Sequence, residues 1–121
     1  MEAMTRGTPT SARLLGAVVD GVDLAQNMDD VSFRAIEREF NDCGLLVFRN
    51  QVVSHEQHVQ FSRRFGDLDV HVIEQYLVPG SPELFRVSNL LENGKRIGAN
   101  AEFWHTDMSY LATPPRCSLL Y

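Results

Sequence analysis

Residues 45–49 read Leu-Leu-Val-Phe-Arg, a short continuous apolar run that ends in an arginine. A run of this length is typical of a buried strand. Gly44 stands directly before it and is suited to ending a helix, because glycine readily adopts the left-handed conformation found there. Asp29 or Asp30 can cap the start of that helix. Its predicted apolar face comprises Val31, Phe33, Ile36 and Phe40.

A second helix is predicted directly after this strand. Ser54, followed three residues later by Gln57, forms the capping-box pattern in which each side chain bonds the other's backbone N–H. The helix is predicted to close at Gly66, and its apolar side comprises Val59, Phe61 and Phe65.

Strands are predicted on both sides of the two helices. Residues 14–24 alternate apolar residues with Gly and Asp, and residues 70–78 and 84–87 are apolar runs separated by a Pro-Gly turn. Residues 89–100 suggest a hairpin or loop around an Asn-Gly pair. Residues 117–121 begin another apolar strand and then end. This order predicts a mainly β core with flanking helices, an α+β fold, and the ending suggests that further strands belong to it.

Length and composition predict one globular domain. The 121 residues are 44% hydrophobic and 22% charged, which is ordinary for a folded protein. We expect residues 1–13, which are small and polar, to form a flexible N-terminus, and residues 14–121 to form the domain.

Charge and polarity argue against two classes of partner. The net charge is -5 and Lys and Arg form no run, so no nucleic acid is expected. The apolar stretches are too short to cross a bilayer, so no membrane is expected. Cys43 and Cys117 are widely separated and predict reduced thiols in a cytoplasmic protein.

The strongest candidate for chemistry is the pair His105 and Asp107. On a strand, residues two apart project to the same face, so an imidazole nitrogen and a carboxylate oxygen could reach one ion. These donors suit Fe(II) or Mn(II), and a second His would complete a 2-His-1-carboxylate triad. Phe103 and Trp104 would give the ion a dry surrounding. A His-x-Asp also occurs by chance, as a surface turn or a hydrogen-bonded pair.

Four stretches of the chain form a recognisable series. Three of them are Gly-Val-Asp-Leu at residues 21–24, Gly-Leu-Leu-Val-Phe-Arg-Asn-Gln at 44–51, and at 54–68 a helix ending in Arg-Phe-Gly-Asp-Leu. The main one, at residues 104–121, is Trp-His-Thr-Asp-Met-Ser-Tyr followed by Pro-Pro and Ser-Leu-Leu-Tyr. In sequence and order, these stretches resemble the TauD/TfdA family of Fe(II)/2-oxoglutarate dioxygenases.

The resemblance implies that His105 and Asp107 bind Fe(II), with 2-oxoglutarate and O2 as cosubstrates. It implies hydroxylation of a small, anionic organic substrate, with release of succinate and CO2. The fold it implies is the N-terminal part of a double-stranded β-helix, or jelly roll, and a homo-oligomer is compatible with it. His71 falls where taurine dioxygenase-like relatives bind the anionic group of the substrate. Asn100 lies one residue out of register with a substrate-contacting Asn of related enzymes, and Tyr76 could line the pocket. The alternatives are a strand His bonded to a backbone carbonyl and a Tyr that is simply packed.

The family also has a distal His and an Arg downstream of His-x-Asp. Only fourteen residues follow Asp107, and none is His. Arg116, which stands in the Pro-Pro segment, does not match the position of the cosubstrate-binding Arg. We therefore expect the chain alone to bind Fe(II) weakly and not to turn over. The alternatives are an inactive truncated remnant or interaction module, and a metal protein of the cupin kind.

Overall fold

The computed structural model describes residues 15–99 and 103–121. The chain divides into two compact units, one ending at Phe65 and the other running Gly66–Tyr121. The predicted flexible N-terminus lies outside the described residues, so it stays a prediction, as does the proposed domain over residues 14–121.

The first unit is a β-α-β arrangement followed by a second helix. Its elements are β1 (Ala17–Val19), α1 (Asp30–Cys43), β2 (Leu46–Phe48) and α2 (His55–Arg63). β1 and β2 pair in parallel, which requires a crossover connection such as α1. The strand predicted over residues 14–24 is confirmed only at its centre, because the chain turns at Gly21 in the left-handed region, with a φ of 73°.

The strand predicted over residues 45–49 is confirmed as β2, but it is not fully buried. α1 packs against both strands, whereas Leu45 and Val47 remain exposed to a substantial degree. The helix covers only one face of the two-stranded sheet. Alternate residues of the run point to the other face and stay accessible.

Helix α1 begins and ends where the sequence predicts. The Asp29 side chain accepts the backbone N–H of Ser32 at 2.8 Å, and Gly44 adopts a φ of 72° at the C-terminal end. Phe33 and Ile36 are buried, but Val31 is 69% exposed. The assignment of Val31 to the apolar face was wrong. Val31 and the buried Phe33 are two positions apart, which separates them by about 200° around the helix axis.

Helix α2 confirms the predicted capping box. Ser54 accepts the N–H of Gln57 at 3.2 Å, and the Gln57 side chain accepts the N–H of Ser54 at 2.8 Å. The helix ends at Arg63, with Arg64 as its C-cap, which is earlier than the predicted end at Gly66. Gly66 lies beyond it with a φ of 144°.

Aromatic side chains form much of the core of this unit. Ile36 is the most deeply buried large residue, with 1% of its surface exposed. The Phe33 ring meets Phe65 at 5.0 Å and Phe61 at 6.4 Å, both edge to face. Phe48 meets Phe61 in the same way at 5.7 Å. Such pairs are favourable beyond the area they bury.

The cap of α1 leads to a pH-dependent prediction. The backbone N–H of Ser32, followed by its hydroxyl, lowers the pKa of Asp29 below its ordinary value of 3.8. A lowered pKa contributes stability above the unfolded value, and that contribution is lost as pH falls through the folded value. We expect Asp29→Asn, which keeps an oxygen acceptor, to flatten the fall in Tm between about pH 5 and pH 2.

The measurement is a series of thermal melts followed by circular dichroism across that range. Asp42→Asn, at an exposed position near the other end of α1, is the matched control. A fall in Tm that is as steep in Asp29→Asn as in the wild-type chain would contradict the prediction.

The second unit consists of short strands and turns. After a 3-10 helix (Glu74–Tyr76) come β3 (Leu77–Val78), β4 (Ser81–Phe85), β5 (Leu91–Glu92) and β6 (Lys95–Arg96). β3 pairs with β4 and β5 with β6, both antiparallel. The predicted Asn-Gly hairpin is confirmed between β5 and β6, where Asn93 and Gly94 both have positive φ, 51° and 74°, as a type I′ turn requires.

Two predicted strands of this unit were wrong. Residues 70–78 form a strand only at Leu77–Val78, because the chain enters a 3-10 helix and leaves Val70, Val72 and Ile73 exposed. Residues 117–121 form no strand, and Leu120 and Tyr121 are exposed. The described residues thus form small sheets with two α-helices, a mixed α/β arrangement in which strands do not dominate. Of the described helices, none has the length and apolar character needed to cross a membrane.

Candidate metal centre

His105 and Asp107 lie side by side in the second unit. Nε2 of His105 is 3.1 Å from Oδ1 of Asp107. The prediction that a strand brings them together was wrong, because residues 103–106 are irregular and a turn begins at Asp107. The turn itself brings the pair together. Met108 adopts a φ of 48°, and the N–H of Leu111 donates to the Met108 carbonyl at 3.1 Å.

The second ring nitrogen of His105 fixes its tautomer. Nδ1 lies 2.8 Å from the Phe103 carbonyl oxygen, which can only accept, so Nδ1 carries the proton and donates. A neutral ring then presents the bare Nε2 lone pair to a carboxylate oxygen. Two acceptors at this separation repel each other unless a cation, either a proton or a metal ion, lies between them.

The same contacts alter the protonation of His105. The Phe103 carbonyl raises the pKa of the imidazole above its ordinary value of 6.5, the Asp107 carboxylate raises it further, and desolvation opposes both. Each partner favours the charged ring. Because metals bind the neutral imidazole, a proton on Nε2 would compete with an ion for this position.

The donor pair fits an octahedral metal ion. Two cis ligands with bonds of about 2.1–2.2 Å lie about 3.0 Å apart, close to the 3.1 Å observed here. One imidazole nitrogen and one carboxylate oxygen are the donors of a facial triad. Both side chains are accessible, at 37% and 54% exposure. No group of three or more His, Cys, Asp or Glu residues suited to a metal occurs among residues 15–99 and 103–121.

A hydroxyl contact to Asp107 was not predicted from the sequence. Ser118 Oγ donates to Oδ2 of Asp107 at 2.6 Å. The two residues are eleven positions apart and meet because the chain folds back through the intervening turn and the Pro-Pro segment. A single serine at that distance carries no spacing signal, so the sequence alone could not reveal the contact.

The predicted dry surrounding is not formed by the residues next to the pair. Trp104 is fully exposed and Phe103 is largely exposed. The Phe103 ring lies 5.3 Å from the His105 ring at a tilt of 56°, so it borders the imidazole without enclosing it. In an irregular segment, neighbouring side chains do not gather on one covered face as they would in a packed strand.

Two of the predicted substrate residues meet at one ring. His71 stacks on Phe85 with centroids 4.0 Å apart, and Tyr76 meets the same ring edge-on at 5.9 Å. Nδ1 of His71 accepts the N–H of Ile73 at 3.1 Å, so the alternative of a strand His bonded to a carbonyl was wrong. The neutral ring then carries its proton on Nε2. Asn100 lies outside the described residues.

Residues 5–121 match the model of a protein family described as "Taurine catabolism dioxygenase TauD, TfdA family". The chain belongs to this TauD/TfdA family. It is 36% identical over 107 residues to pentalenolactone F synthase from Streptomyces arenae, covering 85% of this chain and 36% of that protein. It is 31% identical to the alpha-ketoglutarate-dependent 2,4-dichlorophenoxyacetate dioxygenase from Cupriavidus pinatubonensis, covering 88% and 42%.

A solved structure is also similar. The crystal structure assigned as an alpha-ketoglutarate-dependent taurine dioxygenase from Burkholderia xenovorans superposes with a TM-score of 0.59 and 37% identity, covering 70% of this chain and 30% of that one. This TauD/TfdA chain therefore spans between 30% and 42% of the length of these three relatives.

The TauD/TfdA motif residues of the first unit hold the segment between β1 and α1. The Gln51 side chain accepts the N–H of Leu24 at 2.8 Å and donates to the Val22 carbonyl at 2.8 Å. Arg64 donates to the Met28 carbonyl at 2.8 Å. Its guanidinium also pairs with Asp30 at 2.8 Å and lies 4.5 Å above the Phe33 ring. In this unit Gln51 and Arg64 contact neighbouring backbone and side chains, and these contacts stabilise the fold.

Proposed function

We propose that this chain is the N-terminal portion of an Fe(II)/2-oxoglutarate dioxygenase that hydroxylates a small anionic substrate with release of succinate and CO2. The observation that carries the proposal is the 3.1 Å approach of His105 Nε2 to Asp107 Oδ1. Relatives whose names state alpha-ketoglutarate dependence support the reaction class, among them one acting on 2,4-dichlorophenoxyacetate and one on (S)-phenoxypropionate.

In this proposal His105 contributes a nitrogen ligand and Asp107 an oxygen ligand. The Phe103 carbonyl holds Nδ1–H, which orients the ring so that Nε2 faces the ion. When bound, iron and 2-oxoglutarate would activate O2, which is the oxidant, and the chain would supply ligands and orientation.

The remaining parts of the site are proposed to come from residues outside this chain. A facial triad needs a second His, and no His follows Asp107. The family resemblance places that His, and the Arg that pairs with 2-oxoglutarate, further downstream. We propose the jelly roll from the family resemblance as well. The similarity to the solved relative covers only 30% of that chain, so the rest of the fold is a proposal.

Substrate contact is proposed for His71 and Tyr76, with Asn100 added from the resemblance. A neutral His71 whose Nδ1 accepts a backbone N–H presents its Nε2–H as a donor, which suits an anionic group. Phe85 holds the His71 ring by stacking and meets Tyr76 at its edge.

The metal site is tested by titrating the isotopically labelled chain with Mn(II) and following paramagnetic broadening of its amide signals. We expect the Thr106 amide to broaden at the lowest metal concentrations. His105→Ala removes the nitrogen ligand and Asp107→Asn removes the negative charge of the oxygen ligand, so each should raise the metal concentration required for broadening at least about tenfold.

His55→Ala is the matched control, since His55 is exposed at the start of α2. It should leave the titration unchanged. Titration curves at Thr106 that are identical in the wild-type chain and His105→Ala would contradict the proposal, as would earlier broadening at acidic surface positions.

Turnover gives a second prediction. Two protein ligands do not fix facial geometry, so we expect the chain alone, mixed anaerobically with Fe(II) and 2-oxoglutarate and then exposed to O2, to form no succinate above a metal-only blank. Catalytic succinate formation by the isolated chain would show that the third ligand and the cosubstrate-binding Arg are not required.

A further inference from the structure

Asp107 is held at both of its carboxylate oxygens. Oδ1 faces Nε2 of His105 at 3.1 Å, while Oδ2 accepts the Ser118 hydroxyl at 2.6 Å. An ionised carboxylate has no proton to give, so the hydroxyl is the donor. The separation is in the range of short, charge-assisted O–H···O⁻ bonds, which are about twice as strong as neutral ones.

We propose that Ser118 is a positioning residue of the metal site, whose hydroxyl holds Oδ2 of Asp107 so that Oδ1 alone is turned toward the ion. This inference rests on the proposed function of His105 and Asp107. A carboxylate tethered at Oδ2 resists rotation about its Cβ–Cγ bond and offers one oxygen, rather than two, to a cation. Ser118 thus does for Asp107 what the Phe103 carbonyl does for His105: each ligand is oriented through the atom that does not bind metal.

The arrangement depends on the loop between the two residues. The N–H of Leu111 bonds the Met108 carbonyl at 3.1 Å in the turn after Asp107, and the Pro-Pro segment follows. The chain then returns so that Ser118 meets Asp107 across eleven positions. Ordering of residues 107–118 and orientation of the metal ligand are therefore coupled through one hydroxyl.

Removing the hydroxyl should weaken metal binding without removing a ligand. The 121-residue chain is titrated with Co(II), and the paramagnetic change of the Thr106 amide signal is followed. We expect Ser118→Ala to require roughly tenfold more metal than wild type for the same change, as is typical for loss of such a supporting contact. Ser118→Thr retains the hydroxyl and should titrate like wild type. Ser109→Ala is the matched control, because Ser109 is an exposed serine in the same loop, and it should also titrate like wild type.

A Ser118→Ala chain that titrates like wild type overturns the inference, and so does a Ser118→Thr chain that binds as weakly as Ser118→Ala. The metal site itself is judged separately by His105→Ala. Loss of binding in that variant, combined with wild-type binding in Ser118→Ala, would retain the metal site and reject the role of Ser118. Binding that persists in His105→Ala would reject both.

Discussion

Replacing Ile36 with alanine is expected to lower the free energy of unfolding of the first unit by about 2–5 kcal/mol. Ile36 is on the inner face of α1 with 1% of its surface exposed, and α1 packs against both strands of the parallel pair. Truncation removes buried methyl groups and leaves a cavity that the surrounding side chains fill only partly. Urea unfolding followed at the amide signals of α1 measures the loss.

Two further substitutions make this prediction specific. Ile36→Val removes one methylene and should cost about 0.5–1.5 kcal/mol. Val31→Ala is the matched control on the same helix, because Val31 is 69% exposed, and it should change stability by no more than about 0.5 kcal/mol. Equal losses from Ile36→Ala and Val31→Ala would contradict the position of the core.

Gly98→Ala is expected to destabilise the second unit by about 1–3 kcal/mol, the usual cost of overpacking. An added Cβ would lie 2.6 Å from the Ser88 backbone nitrogen and 2.9 Å from the Arg86 carbonyl oxygen. Both atoms belong to backbone that is hydrogen-bonded to Ala99: its N–H donates to Arg86 at 2.8 Å, and its carbonyl accepts from Ser88 at 3.0 Å. The clash can be relieved only by separating these segments.

Hydrogen exchange of the Ser88 and Ala99 amides measures that separation directly. Protection of both should fall in Gly98→Ala. Gly80→Ala is the control, because a Cβ at Gly80 meets no atom within 4 Å and the position has a φ of 80°. Gly80→Ala should strain the backbone locally while leaving the Ser88 and Ala99 amides protected from hydrogen exchange. Unchanged protection in Gly98→Ala would show that the close approach is not essential.

Local features of the fold could be predicted well from the sequence. The caps of α1 and α2 and the Asn-Gly hairpin follow from side chains that bond their own backbone, or from residues that accept positive φ. These causes act within four or five residues, so a short stretch contains all the information. Asp29, Ser54 and Asn93 occupy the places that this reasoning assigned to them.

Apolar runs were less informative. Residues 70–78 contain enough Val and Ile to suggest a strand, but periodicity does not say whether another segment will cover them. The chain instead turns into a 3-10 helix at Glu74–Tyr76. The exposure of Val31 has a local cause instead, because Val31 lies about 200° around the helix axis from the buried Phe33.

The proximity of His105 and Asp107 was predicted from the sequence, but its structural cause was not, and their role as metal ligands stays a proposal. His105 and Asp107 are close, as expected, yet a turn rather than a strand brings them together. Ser118 and Gly98 could not be predicted, because their roles depend on segments about ten residues away folding back against them. Family motifs indicate candidate residues, whereas long-range backbone geometry decides what each one contacts.

The central claim is that His105 and Asp107 bind one metal ion together. Pulsed EPR of Mn(II) bound to the chain tests it most directly, because electron spin-echo modulation reveals a coordinated imidazole nitrogen. The account predicts ¹⁴N modulation from a single histidine, present in the wild-type chain and in His55→Ala and absent in His105→Ala. Modulation that survives in His105→Ala, or a wild-type spectrum without coordinated nitrogen, would contradict it.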